Sequence, residues 1–262
     1  MRRLSLLLLL LACRPATSTA PAAQPVPTDI PADIRQILED PARPADERAL
    51  DPGRRPAELL QFLNLKPGMR VADIGAGFGY SSFLLARAVG PSGRVYAQNP
   101  RFVRDRFAEP SWTERLATPA FANVTRVDRE FDDPLPPDAR DLDLVLNFIF
   151  YHDTFWMNTD RARMNRAIFA ALKPGGAYVI VDHSTRPGRG GSEAWTLHRV
   201  DEALVRADLE AAGFRLESAA EFLRNPSDPR DWNAAPFATR GTPRRGTADR
   251  FILKFVKPIT PG

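Results

Sequence analysis

Short apolar runs alternate with stretches of helical spacing along most of the chain. Seven runs rich in β-branched and aromatic residues predict strands at residues 71–74, 94–99, 123–127, 142–147, 177–182, 214–217 and 250–256. Apolar residues at helical spacing predict helices at residues 30–38, 56–63, 102–116 (broken at Pro110), 158–172 and 201–212, and another from the glycine-rich stretch at 75–79 to Gly90. The alternation predicts an α/β fold, and 262 residues suit one such domain with an N-terminal extension.

The most informative stretch is the first predicted strand and the turn that follows it. An acid, Asp73, stands near the end of a buried run, and glycines occupy positions 75, 77 and 79 before the helix. Glycine tolerates positive φ and lets a ligand approach the backbone closely. The spacing Gly-x-Gly-x-Gly is not the dinucleotide fingerprint Gly-x-Gly-x-x-Gly, because Tyr80 stands where the third glycine would be. A nicotinamide oxidoreductase is therefore disfavoured, and a tight turn without a ligand is the plain alternative.

Two motifs together resemble the class I S-adenosylmethionine-dependent methyltransferases. Asp-x-Gly-x-Gly-x-Gly at residues 73–79 is similar to their first motif, and Leu-Lys-Pro-Gly-Gly at 172–176 is similar to the segment before their fifth strand. The resemblance covers residues 56–258 and implies a Rossmann-like, seven-stranded, mostly parallel sheet with helices on both faces and an antiparallel last strand. Segments 40–46, 151–153 and 197–201 resemble, more narrowly, exported bacterial predicted methyltransferases of unknown substrate.

The resemblance also implies a cofactor, S-adenosylmethionine, and a set of residues that bind it. These are Asp73, Gly75, Gly77, Gly79, Asn99, Glu130 and Asn147. Asn99 stands where the family places an acid on the ribose hydroxyls, and an amide lacks the strength of a charge-assisted hydrogen bond. Counting from the third strand favours Glu130 over Asp132 as the acid near the adenine amine.

The chain has three histidines, and all three follow predicted strands. His152 follows the fourth strand, His183 follows the fifth, and His198 lies in the next crossover. Ligands of open α/β sheets bind outside the carboxyl ends of the strands, so we expect these histidines and Asp153 at the functional edge. They are candidates for catalysis, with His152 as the base that takes a proton from the methyl acceptor. A metal site is the alternative, but no close His-x-x-x-His spacing supports one, and the sequence assigns no metal ligands.

The N-terminus predicts export. Two arginines and a short apolar run precede Cys13, the only cysteine, and residues 10–13 resemble a lipoprotein processing site. Ordinary signal cleavage between Ala16 and Ala23 is the alternative. We therefore expect an export signal at 1–13, a disordered tether rich in Pro, Ala and Thr at 14–31, and a domain at 32–258 with a helical lead-in. This predicts a periplasmic or cell-envelope lipoprotein that contacts the membrane only through its lipid anchor.

Charge narrows the possible partners. The formal net charge is +4 with a sequence pI of about 9.6, but arginines and acids are interleaved rather than gathered in a stripe. This pattern disfavours nucleic acid, so we expect a small-molecule acceptor. The alternative function is a catalytically silent binding protein on a methyltransferase scaffold. The glycine motif favours the enzyme, whereas Asn99 and the predicted export favour the binding protein.

Overall fold

The computed structural model describes residues 30–259. Its seven strands are β1 Arg70–Ile74, β2 Arg94–Asn99, β3 Val124–Asp128, β4 Leu142–Phe148, β5 Leu172–His183, β6 Arg215–Ala220 and β7 Arg250–Val256. They form one sheet in the order β3-β2-β1-β4-β5-β7-β6. β7 runs antiparallel to β5 and β6, and the pairings among β1 to β5 are parallel. The predicted fold class is confirmed.

Twelve α-helices surround the sheet in the described part of the chain. They are α1 Ala32–Glu39, α2 Ala45–Arg48, α3 Asp51–Arg54, α4 Pro56–Leu63, α5 Tyr80–Val89, α6 Arg101–Val103, α7 Ser111–Leu116, α8 Asp153–Trp156, α9 Arg161–Ala171, α10 Ala194–Leu197, α11 Glu202–Ala211 and α12 Pro236–Thr239. A π-helical turn, Arg104–Ala108, separates α6 from α7, and a short 3₁₀ turn spans Pro119–Phe121. The helix predicted over 102–116 is thus interrupted twice, once at this turn and once near Pro110.

Both faces of the central strands are buried, whereas the edge strands β3 and β6 are partly exposed. Side chains of β4 and β5 alternate between two apolar cores, with Val145 and Tyr178 in one and Leu144 and Val179 in the other. Burial on both sides is usual for parallel strands that have helices on both faces. It explains why the strands appear in the sequence as continuous apolar runs rather than as alternating ones.

The segment at residues 173–176 differs from its prediction. The predicted helix at 158–172 and the predicted strand at 177–182 leave residues 173–176 as a connection between them. In the structure, β5 already begins at Leu172. The backbone N–H of Gly175 donates to the carbonyl of Lys257, and the backbone N–H of Lys257 donates to the carbonyl of Gly176. The chain after β7 therefore extends the sheet along this segment.

The lead-in before β1 is tied to the domain by an arginine. Arg43 is 1% exposed and donates to both carboxylate oxygens of Asp51, at 2.9 and 2.7 Å. The hydroxyl of Tyr80, at the start of α5, donates to the same carboxylate at 2.7 Å. The lead-in thereby packs on the helix that follows the glycine turn.

Two expectations concern residues before Ile30. The export signal at 1–13 and nearly all of the tether at 14–31 lie outside the described residues. Between residues 30 and 259, no helix is long and apolar enough to cross a membrane.

Candidate active site at the carboxyl edge of the sheet

The chain order changes direction between β1 and β4. β2 and β3 extend the sheet on one side of β1, and β4 begins the other side, with Ile74 of β1 paired to Asn147 of β4. Open α/β sheets bind ligands in the crevice at such a point. The predicted site residues lie at the carboxyl ends of β1 to β5 or in the segments that follow these strands, and therefore lie along one edge.

Asp73 is a buried acid with one unused oxygen. Its Oδ2 accepts hydrogen bonds from the hydroxyls of Ser81 at 2.7 Å and Ser82 at 2.6 Å, both in the first turn of α5. Its Oδ1 is buried and has no hydrogen-bond partner. Burial raises the pKa of Asp73 to about 6, although the two serine hydrogen bonds oppose the shift. An unpaired carboxylate oxygen in this position fits a ligand that brings a hydrogen-bond donor, above all a cationic one.

The glycines of the turn serve two purposes. A Cβ at Gly75 would lie 2.5 Å from Cγ of Phe150, so this glycine is required because the Phe150 ring packs on the turn. At Gly77 the nearest atom to such a Cβ is 3.7 Å away, and φ is +58°. Gly77 is therefore where a ligand can approach the backbone, whereas the ring of Phe150 covers Gly75. Gly79 is the N-cap of α5.

Two amide side chains of β2 hold the turn. Gln98 accepts from the backbone N–H of Gly75 at 3.0 Å. Asn99, which is fully buried, accepts from the N–H of Gly77 at 2.8 Å and donates to its carbonyl at 2.9 Å. An acid at position 99 could not supply that second bond, since a carboxylate has no proton to donate. Asparagine at position 99 thus has a structural role, because it holds the turn at Gly77. The contact of Asn99 with ribose stays a prediction.

The other two predicted cofactor residues lie at the same edge but differ in access. Glu130 is exposed, accepts from the backbone N–H of Arg101 at 3.2 Å, and borders a cavity of about 480 Å³. Phe102 and Trp156 also line this cavity. Asn147 is fully buried, and its Oδ1 accepts from the N–H of Phe150 at 3.2 Å. Asn147 therefore shapes the loop after β4.

A second cluster lies at the ends of β4 and β5. His152 Nε2 is 3.2 Å from His198 Nδ1 and 3.2 Å from Asp153 Oδ1, and the last two atoms are 3.6 Å apart. The side chains are only 3%, 13% and 12% exposed for His152, His198 and Asp153. Three of the four residues that the sequence predicts for catalysis, His152, Asp153 and His198, thus meet in one place.

Asp182 orients the cluster from below. Its Oδ1 is 2.7 Å from His152 Nδ1, and its carboxylate also accepts the backbone N–H groups of His152 at 2.8 Å and His183 at 2.7 Å. Because Nδ1 of His152 faces a carboxylate, its Nε2 is directed toward His198 and Asp153. His183 lies beside this pair, with its ring 6.0 Å from that of His152 and its Nδ1 3.1 Å from the carbonyl of His198.

An arginine that sequence reasoning missed brings His198 to the cluster. Arg199 is fully buried and donates to Asp228 at 2.9 Å, to the carbonyl of Ser184 at 2.9 Å and to that of Trp232 at 3.1 Å. The N–H of Val200 donates to the carbonyl of His183, which fastens this crossover to the end of β5. The sequence around Arg199 mixes polar and apolar residues and gives no sign that this arginine is buried.

The surroundings of His152 and His183 shift the pKa values of these two histidines in opposite directions. Burial would lower the pKa of His152, but the carboxylates of Asp153 and Asp182 outweigh it and raise the pKa to about 10. Burial and the nearby charge of Arg250 lower the pKa of His183 well below its ordinary value. At neutral pH His152 carries a proton, so the base role predicted for it requires that proton to leave first.

Another cavity, of about 980 Å³, lies elsewhere. It is lined by α1, α4 and the segments that precede β1, β2 and β3, including Lys66, Gly90 and Asn123. This is the amino edge of the sheet, opposite the histidines and the glycine turn. We place the site at the carboxyl edge because the unpaired and clustered polar groups lie there.

Comparison with known proteins agrees with this geometry. The family model for protein-L-isoaspartate (D-aspartate) O-methyltransferase matches residues 54–100, from the lead-in through β2. A protein-L-isoaspartate O-methyltransferase of Aeropyrum pernix is 59% identical over 39 residues, which are 15% of each chain. Phosphoethanolamine N-methyltransferase 1 of Zea mays is 27% identical over 165 residues, 62% of this chain and 30% of that one. The chain thus spans less than a third of either relative.

Solved structures show the same fold. A methyltransferase dependent on S-adenosylmethionine from Aquifex aeolicus aligns with a TM-score of 0.56 and 20% identity over 82% of this chain and 98% of that one. The [4+2]-cyclase SpnF aligns with a TM-score of 0.55 and 18% identity over 84% of each chain. At identities this low the likeness shows the fold alone, and the two proteins are named for different reactions.

Proposed function

We propose that this chain is a class I S-adenosylmethionine-dependent methyltransferase, which transfers a methyl group from S-adenosylmethionine to a small-molecule acceptor. The strongest support is the buried Asp73, whose Oδ1 lacks a partner beside a turn that opens at Gly77. The family match covers this same turn. When bound, S-adenosylmethionine supplies an electrophilic methyl group on a sulfonium.

The residues present fit this cofactor. Asp73 Oδ1 would accept from the cationic amino group, and the backbone at Gly77 would lie against the ligand. The Glu130 carboxylate would accept a hydrogen bond from the cofactor at the exposed end of the site. Asn99 holds the turn and would reach ribose only through the part of its amide not used by Gly77. The protein's contribution to transfer is then proximity and alignment, because direct displacement needs little covalent help.

The acceptor would lie at the cluster of His152, Asp153 and His198. Its surroundings are aromatic: Trp156 donates to Asp153 at 2.8 Å, and the rings of Trp156 and Trp195 are 4.9 Å apart. Trp195 is 63% exposed, which is unusual for so large an apolar group unless it faces a ligand or partner. We propose that the cluster as a whole, rather than one free imidazole, takes the acceptor's proton. Both ring nitrogens of His152 already have partners.

Asp73 gives this proposal a pH signature. Lowering the pH from 7 to 5 should weaken S-adenosylmethionine binding about tenfold, because protonation removes the charge that pairs with the amino group. The pKa of Asp73 is raised from 3.8 in the unfolded chain to about 6 in the folded one. The ionised carboxylate therefore lowers the stability of the fold, and this stability returns as the pH falls from about 6 toward 3.8. Calorimetric titration at both pH values measures the affinity, and thermal unfolding measures the stability.

Asp73→Asn is the matched variant. It should bind S-adenosylmethionine weakly at both pH values, should form no S-adenosylhomocysteine, and should lack the stability change near pH 6. If the variant and the wild type bind with equal affinity at pH 7, Asp73 does not hold the cofactor. Wild-type binding without product from any small-molecule acceptor would favour the silent binding protein instead.

A further inference from the structure

We infer that His152, Asp153 and His198 bind one divalent transition-metal ion, and that zinc fits the geometry best. Three potential ligand atoms converge: His152 Nε2, His198 Nδ1 and Asp153 Oδ1, separated by 3.2, 3.2 and 3.6 Å. In a tetrahedral zinc site with bonds of about 2.0–2.2 Å, ligand atoms lie about 3.3–3.6 Å apart. The three atoms already have nearly this spacing without an ion between them.

The arrangement of these groups favours a cation. A shared proton can bridge only two of the three atoms at a time. His152 Nδ1 is directed at Asp182 at 2.7 Å, so Nε2 is the ring nitrogen that faces the centre of the cluster. A metal ion would replace the proton that His152 carries there at neutral pH, since a ligating imidazole is neutral. A carboxylate behind a ligating histidine is the usual support of a metal site, because it fixes the ring and its tautomer. A divalent ion would satisfy all three atoms at once.

The other possible ligand set is less suitable. Asp182 and His183 also lie near His152. The Asp182 carboxylate already accepts two backbone N–H groups and faces His152 Nδ1, so its lone pairs are engaged. His183 Nδ1 faces the carbonyl of His198. Asp182 therefore supports the ligand His152, whereas the imidazole of His183 hydrogen-bonds to the backbone of the crossover and to no proposed ligand atom.

The ligand types indicate the class of metal. Two imidazoles and one carboxylate suit zinc and its transition-metal neighbours, whereas magnesium and calcium prefer oxygen ligands. Three protein ligands leave a coordination position open, as in catalytic zinc sites. An acceptor atom bound there would lose its proton to solvent more readily, in place of direct proton transfer to the cluster, whose three atoms would then be metal ligands. That last consequence rests on the proposed function, whereas the metal site itself does not.

The structure also holds the ligands in place without the ion. The indole N–H of Trp156 donates to Asp153 Oδ1 at 2.8 Å, and the neighbouring Arg199 fixes the crossover that carries His198. His198 adopts a left-handed backbone with φ +51°, a conformation that is disfavoured for a non-glycine residue. A site prepared in this way loses little freedom when an ion binds.

Metal titration tests the inference without any substrate. The full-length protein, stripped with a chelator, is titrated with Co²⁺, and the visible absorption of tetrahedral cobalt is recorded before Zn²⁺ displaces it. We expect one ion per chain. His198→Ala and Asp153→Ala should each lower the affinity about a hundredfold or more, and Asp182→Asn about 10–100-fold, since it only supports the ligand His152.

His183→Asn is the matched control, because its amide can still donate to the carbonyl of His198 and it removes no proposed ligand. It should retain the bound ion. Thermal unfolding of each variant separates loss of a ligand from loss of the fold. The inference is overturned if the wild type binds no Co²⁺ or Zn²⁺, or if folded His198→Ala and Asp153→Ala bind them as tightly as the wild type. Binding of S-adenosylmethionine by metal-free protein, measured separately, shows which of the two proposals has failed.

Discussion

Replacing Arg199 by methionine should lower the free energy of unfolding by about 3–5 kcal/mol, because it leaves Asp228 charged and buried without its cationic partner. Both side chains are 0% exposed, and the guanidinium also satisfies two backbone carbonyls. Chemical denaturation of the wild type and the variant measures the difference. The hydrocarbon of methionine keeps most of the packing, so the loss reports the polar contacts.

Arg206→Met is the control for this experiment. Arg206 pairs with Glu210 at 2.8 Å, but the two side chains are 53% and 45% exposed. Exposed pairs contribute about 0–1 kcal/mol, so this variant should unfold nearly as the wild type does. Equal losses in the two variants would show that Arg199 does not hold the crossover through its buried pair.

Replacing His152 by alanine should lower turnover about 10²–10⁴-fold, the range expected when a group that handles the acceptor's proton is removed. Cofactor affinity should stay close to that of the wild type, because Asp73 and Gly77 belong to β1 and its turn, whereas His152 follows β4. Steady-state rates of S-adenosylhomocysteine formation, together with calorimetric binding of S-adenosylmethionine, separate the two effects. Loss of affinity with little loss of turnover would place His152 on the cofactor side.

The sheet could be predicted from the sequence because its central strands are buried on both faces. Continuous apolar runs such as 142–147 and 177–182 identify such strands without an alignment. Local exceptions were harder to predict. The strand at Leu172 depends on hydrogen bonds to Lys257, 85 residues away, and the π-helical turn at Arg104–Ala108 has no distinctive composition.

The candidate site was predictable in position but not in detail. Strand ends placed the histidines at one edge, as topology requires. Contact between His152 and His198, which are 46 residues apart, depends on the crossover that carries His198. Arg199 holds that crossover in place. Ligand spacing along the chain therefore gave no sign of a metal site. The roles of Phe150 and Asn99 likewise depend on contacts with the glycine turn that only the folded chain reveals.

The fold alone does not determine the reaction, since a cyclase and a methyltransferase both align with this chain. The central claim is that the turn from Asp73 to Gly79 binds S-adenosylmethionine. Calorimetric titration of the full-length protein at pH 7 with S-adenosylmethionine, S-adenosylhomocysteine and NAD tests it most directly. We expect one site per chain for the first two ligands, lost in Asp73→Asn, and no binding of NAD. Binding of NAD alone, or of none of the three at millimolar concentration, would contradict it.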